Sequence, residues 1–234
     1  MKYRGVISAD IIGSTSIPSK ERSKLLGLLK AFLKKTDKKF NTYSRITKGD
    51  LIEIYVDEAK YTLRIALLLK VFIKSKSSAI SGEGNHGNNL FENRRSGYFK
   101  IHGIRMALAI DTMSKIDRKK GILEGEAIYA TGRAINEIHT YNKDRIVIKN
   151  TIQFMSVNKL WEEEFDVLVS LLDILFSKIT VRQSEILLHR LQGLSENLIS
   201  AKLKISQSAI NQSSKSVGWR AIEKSITHFE NVIQ

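Results

Sequence analysis

The chain contains no cysteine and one proline, Pro18, in 234 residues. Without thiols there are no disulfides, no thiolate zinc site and no cysteine nucleophile. The same absence suits a reducing, cytoplasmic compartment. Long apolar runs are missing as well: no stretch approaches the ~18 uncharged residues that a membrane span needs. The N-terminus reads as lacking a signal peptide, because Lys2 and Arg4 run straight into a β-prone segment and Asp10. Acidic charge is scarce, with 24 Asp and Glu against 38 Lys and Arg, a net charge of +14. The excess lies wholly in residues 1–150, which hold 29 basic and 15 acidic residues; residues 151–234 hold nine of each. Such a field favours polyanionic partners. The plainer account is a soluble lysine-rich surface.

What is present suffices for a core: 42% of residues are hydrophobic, in a length suited to one large or two small domains. Tyr3 to Ala9 reads as a strand. Pro18 opens an amphipathic helix from Ser19 to Lys38, where proline is tolerated, with Leu25, Leu28, Leu29, Phe32 and Leu33 as its buried stripe. Phe40 to Thr47 and Leu51 to Val56 read as strands joined by Lys48-Gly49-Asp50. A second helix is expected from Asp57 to Lys74, a loop over 75–97, a strand from Ile101 to Ile110, a loop over 111–124, a third helix from Glu126 to Tyr141 and a last strand from Arg145 to Lys149. The order predicts an α+β fold, a ferredoxin-like βαββαβ sheet with helices on one face. An all-α unit follows. The expected partition is 1–155 for the sheet domain, 156–179 for a connecting helix centred on Trp161 to Phe176, and 180–234 for short helices.

Two places carry chemistry in the first part. The run Val6-Ile7-Ser8-Ala9-Asp10 ends in a small turn, Gly13-Ser14-Thr15. An acid ending a buried strand needs a partner, because an unpaired buried charge is costly. A cation is one such partner, and the backbone N–H groups of Ile11, Ile12, Gly13, Ser14 and Thr15 are candidates for holding phosphate oxygens. The alternative is that Asp10 only caps the turn by bonding its own backbone. In a βαββαβ sheet the first and third strands are antiparallel neighbours, so Asp10 and Asp50 should converge. Two like charges at one site repel unless something positive lies between them. Mg²⁺, or Mn²⁺ in its place, takes oxygen ligands and completes its shell with phosphates and water. Against this stands the reading that both acids are turn residues facing solvent.

Asp10-Ile11-Ile12-Gly13-Ser14-Thr15 and Lys48-Gly49-Asp50 resemble the two metal-binding signatures of class III nucleotidyl cyclases. Arg105-Met106-Ala107-Leu108-Ala109-Ile110 resembles their next core strand, and Gly125 to Arg133 has the spacing of their Gly-x-x-x-Asn-x-x-x-Arg helix. The resemblance covers roughly residues 3–150. It implies a cyclase-like domain that binds a nucleoside triphosphate with Mg²⁺ or Mn²⁺ at Asp10 and Asp50, with Arg133 stabilising phosphate charge in the transition state. It also implies a homodimer paired head to tail. Tyr129 stands where the family has its catalytic Asn, and Ile46 and Ile122 fall near its adenine-selecting Lys and Asp. Apart from the resemblance, Arg133 could simply pair with Glu137 one helical turn on.

From Thr180 the pattern changes to three short helices. Thr180 with Gln183 forms a capping-box start. Ser195 to Leu203 is a second helix, Lys204-Ile205-Ser206 a turn, and Gln207 to Lys215 a third. Ser200 is small enough for a helix crossing, while Leu203, Ile205 and Ile210 are apolar locks. The segment resembles the helix-turn-helix of LuxR-type regulators and sigma-factor region four. That resemblance implies double-stranded DNA as partner, with Gln207, Ser208, Asn211 and Gln212 facing bases and Lys202, Lys204, Lys215 and Arg220 on phosphates. A helical bundle serving only packing or dimerisation is the alternative. The combination resembles the SatD family of bacterial proteins. The function implied is a cytoplasmic transcriptional regulator that senses a nucleotide. The rival is an active cyclase, or another metal-dependent phosphoryl-transfer enzyme, regulated by its C-terminal helices.

Overall fold

The computed structural model describes residues 2–47, 49–77, 97–137 and 150–234. The architecture is mixed α+β. A five-stranded sheet is built from β1 (Arg4–Ile11), β2 (Thr42–Thr47), β3 (Leu51–Val56), β4 (Ile104–Asp111) and β7 (Ile152–Ser156), in the order β2-β3-β1-β4-β7. All neighbours are antiparallel except β4 and β7, which are parallel. A hairpin, β5 (Lys115–Asp117) with β6 (Ile122–Glu124), occupies the segment expected to be a loop. The helices are α1 (Ser19–Phe40), α2 (Thr62–Ser75), α3 (Glu126–Glu137), α4 (Lys159–Lys178), α5 (Val181–Leu191), α6 (Glu196–Leu203), α7 (Gln207–Ser216) and α8 (Trp219–Val232).

Strand alternation divides the sheet into two faces. Ile7, Ala9 and Ile11 of β1 join Ile52, Ile54, Met106, Leu108 and Phe154 in the main core, which also takes in residues of α1, α2, α4, α5 and α8. Val6, Ser8 and Asp10 point the other way. There α3 lies against the sheet through Ala127, Ala134 and Ile135, opposite Ala107 and Ala109. Ser8 Oγ donates to Thr131 Oγ1 at 2.8 Å across this contact. Helices therefore cover both faces, not one: small residues on β1, β4 and α3 let a helix approach the second face closely. Gly125, just before α3, passes close to the segment after β4, where a Cβ would stand 2.6 Å from the Met113 backbone.

Other expectations change in detail. Leu28 is exposed, so the buried stripe of α1 is Leu25, Leu29, Phe32 and Leu33. Residues 101–102 are helical and β4 begins at Ile104. The fifth strand of the sheet is Ile152–Ser156, where the sequence pattern predicts no strand. The strand expected at Arg145 to Lys149 lies outside the described residues, as do Lys48, most of the 75–97 loop and the end of the helix expected to reach Tyr141.

The C-terminal helices are not appended through a bare linker. Leu187 and Leu191 of α5 and Trp219, Ile222, Ile226 and Phe229 of α8 belong to the same core as the sheet and α2. Arg64 of α2 donates to both carboxylate oxygens of Glu230, at 2.6 and 3.0 Å. A smaller core of Ile186, Ile199 and Ile210 joins α5, α6 and α7.

Candidate functional site

The register brings the two acids together. Asp10 pairs with Leu51 of β3 on one side and with Arg105 of β4 on the other. Asp50, the residue before Leu51, is therefore at the same sheet edge, within hydrogen-bond reach of Asp10. Asp10 is buried. Burial first, and then the Asp50 charge, raise its pKa above the ordinary carboxylate value, against the opposing pull of Arg105. Arg105 Nη2 donates to Asp10 Oδ2, and Ser14 Oγ donates to Asp50 Oδ2.

Gly13 holds φ +65°, and its carbonyl accepts from Ser16 N at 2.8 Å, which opens a short 3₁₀ turn over Ser14–Ser16. Of the phosphate-facing amides expected here, that of Ile12 is already used: it donates to Gly103 O at 3.1 Å. Ile11 and Ile12 are buried, Ser14 is buried and Thr15 is exposed.

The donor set can be tested against a divalent ion. Two carboxylates and a hydroxyl are hard oxygen donors, the type Mg²⁺ accepts. Among the described residues, however, no group of three or more His, Asp or Glu gathers to hold a metal. Arg105 also supplies one positive charge of its own. The set therefore fits an ion that brings phosphate oxygens and water with it, and it does not fit a resident ion in an all-protein cage.

Arg133 is not brought to these acids within one chain. It is exposed on α3 and lines a groove of about 290 Å³ with Asp111, Glu137 and Glu162, between α3 and the β4–β7 side of the sheet. Neither Asp10 nor Asp50 lines that groove. Tyr129, one turn earlier, is 49% exposed.

Sequence reasoning overlooked two features. Arg105 was read only as the start of a core strand, although the register makes it the direct cross-strand neighbour of Asp10. The second is a buried polar cluster beneath β7. Lys70 Nζ lies 2.9 Å from Asp173 Oδ1 and donates to Thr151 Oγ1 at 2.7 Å. Asp173 also accepts from Thr151 N and Oγ1. Lys74, one turn further along α2, donates to the carbonyls of Ile101, Phe176 and Ser177 at 2.7–2.8 Å. Burial and the charge of Lys70 push its pKa down to about 8.

In the C-terminal helices, Thr180 and Gln183 form the capping box expected for α5. Lys204 takes the left-handed conformation, φ +53°, between α6 and α7, and Ser200 Oγ donates to Ile205 O across the turn at 2.5 Å. Gln207, Ser208, Gln212, Lys202, Lys204, Lys215 and Arg220 are exposed. Asn211 differs: it is half-buried and its Nδ2 donates to Glu196, which also pairs with Arg190. Its amide is tied within the chain and does not stand out toward a partner.

No family model matches the chain, and no curated protein matches it. Among solved structures it is similar to a bacterial light-regulated adenylyl cyclase at 12% identity and a TM-score of 0.41, over 65% of this chain and 75% of that one. A second structure of a bacterial light-regulated adenylyl cyclase is matched at the same identity and TM-score, over 43% of its length. The guanylyl cyclase Cya2 is similar at 13% identity and a TM-score of 0.35, over 56% of this chain and 68% of that one.

Proposed function

We propose that the chain is a DNA-binding regulator whose cyclase-like sheet domain senses a nucleoside triphosphate with Mg²⁺. The observation that carries the reading is the meeting of Asp10 and Asp50, forty residues apart, at one sheet edge, where Asp10 is buried and its pKa raised. A buried acid with a raised proton affinity, set beside a second carboxylate, is a pattern that clusters at functional sites. The bound ion would neutralise both the acids and the phosphates. Asp10 and Asp50 would hold it, and Arg105, already paired with Asp10, would turn its guanidinium toward a phosphate oxygen. The 3₁₀ turn at Gly13 would set the Ser14 hydroxyl beside the same group.

The reader would be the helix-turn-helix of α6 and α7. Its support is a row of exposed polar side chains, Gln207, Ser208 and Gln212, flanked by Lys202, Lys204 and Lys215. Glutamine amides bond adenine edges, and lysines position the duplex by its phosphates. Sensing is preferred to turnover because Tyr129 replaces the Asn that the family uses.

Isothermal titration with nucleoside triphosphate and Mg²⁺ tests the sensing half. Heat that disappears in Asp10→Ala and in Asp50→Ala is expected; no heat from wild type at millimolar ligand rejects it. Mass spectrometry after incubation with each triphosphate and Mn²⁺ tests the rival, which requires a cyclic product that is lost in Asp50→Ala. For the reader, wild type should enrich particular genomic fragments, and Gln207→Ala with Gln212→Ala should flatten that preference. Binding that is equal across sequences before and after the change sinks base reading.

A further inference from the structure

Half of the exposed large apolar side chains stand in one place. Of twelve among the described residues, six lie in residues 157–175: Val157, Leu160, Val167, Leu171, Ile174 and Leu175. Leu160 is 76% exposed, Val167 61% and Leu171 58%. All but Val157 are on α4, whose opposite side is already buried through Phe165, Val169, Leu172 and Phe176. A helix apolar on both sides is normally enclosed on both. Here only one side is covered among the described residues.

The spacing identifies what fits the other side. Leu160, Val167, Leu171, Ile174 and Lys178 follow the steps of seven, four, three and four that mark the seam of paired helices. Glu164 fills the skipped position. A lipid surface suits the face poorly, because its first turns carry Glu162, Glu163, Glu164 and Asp166, whereas membrane-lying helices are rich in Lys and Arg. The charge order also selects a direction. Two parallel copies would stack acid on acid. In an antiparallel pair, Glu163 of each copy meets Lys178 of the other, Val167 meets Ile174, and Leu171 lies next to the two-fold axis.

We propose that α4 is a self-association surface through which two copies of the chain pair antiparallel. The proposal stands whether or not the sheet edge binds a nucleotide. Sedimentation of the full chain at micromolar concentrations should show a monomer–dimer equilibrium. Leu171→Glu should weaken it by about tenfold or more, the loss expected when a central apolar anchor is replaced by a charge, with unchanged circular dichroism and melting of the monomer. Because the chain has no cysteine, single introduced thiols report the direction. Leu171→Cys should be joined to its copy by a short bis-maleimide, and Leu160→Cys, near the helix end, should not. A wild type that stays monomeric throughout overturns the proposal. So does equal cross-linking of both variants, which means a parallel pair. A fall in melting temperature of monomeric Leu171→Glu also overturns it, since the chain's own residues then cover the face.

Discussion

At the scale of single residues, Asp10 is held where its own strand gains nothing from a charge. Its folded pKa lies above the ordinary value, with burial as the largest cause and Asp50 adding to it. A carboxyl with a raised folded pKa contributes stability that is fully present below its unfolded pKa and lost as pH rises through the folded one. Above the folded pKa that contribution is gone. Asp10→Asn should therefore gain in melting temperature over wild type as pH rises from about 3 toward neutrality, and the gap should close on the acid side. A calorimetric series across that range measures it; a lower melting temperature for the Asn variant at pH 7 would mean that the Arg105 pair outweighs burial. The meeting of Asp10 and Asp50 is legible from strand order alone, because antiparallel neighbours put the end of one beside the start of the next. Arg105 is legible only when the register is known. A shift of one residue along β4 would turn it to the other face of the sheet.

At the scale of elements, α2, β7 and α4 are joined by the Lys70–Asp173–Thr151 cluster. Lys70 is fully buried. Burial works against the charge on Asp173, yet Lys70 and the two Thr151 donors still hold its pKa below the ordinary value. Removing one partner leaves the other charge stranded, which costs about 3–5 kcal/mol, whereas replacing both with apolar groups of similar volume is often close to neutral. Lys70→Met alone should lose about that much stability in urea titration, and Lys70→Met with Asp173→Leu should recover most of it. Equal losses in single and double variants would show that Thr151, left without its partners, dominates. The cluster had a sequence signal: Lys70 lies between Leu69 and Val71 in an apolar helix, and Asp173 between Leu172 and Ile174 in another. Single charges of opposite sign inside apolar helices mark a buried pair. The last strand was harder to see. Ile152 and Phe154 give only one turn of the two-residue alternation, too short to separate from a connecting segment. α4 is visible as a helix, but its apolar residues cover more than half of the cylinder, and periodicity alone does not say which part of that arc the sheet takes.

At the scale of the whole molecule, the sheet and the C-terminal helices share one core. Leu187, Leu191, Trp219, Ile222, Ile226 and Phe229 are buried together with residues of α2 and the sheet. Each such side chain is worth about 1.5–3 kcal/mol on burial, so the six together rival the ~5–15 kcal/mol that holds an ordinary domain folded. Residues 180–234 have little core of their own beyond Ile186, Ile199 and Ile210, and chains of that size are marginal when they stand alone. Full-length protein should therefore unfold in one transition, with far-UV and near-UV circular dichroism coincident. A chain ending at Lys178 exposes the α2 surface and leaves Arg64 without Glu230, so it should melt far below the full-length protein or aggregate. A truncated chain that melted like the intact one would make the C-terminal helices an independent domain. A shared core also supplies a material route between the two proposed activities. α2 touches β1 and β4, which carry Asp10 and Arg105, and on its other side it touches α5, which supports α6 and α7. Coupling between sites needs an element whose arrangement both can bias, and α2 is the helix in that position. Adding triphosphate with Mg²⁺ should then change amide-exchange protection in α5 and α6 as well as at the sheet edge. Protection confined to residues around Asp10 and Asp50 would mean that binding stays local and that DNA affinity does not respond to the nucleotide.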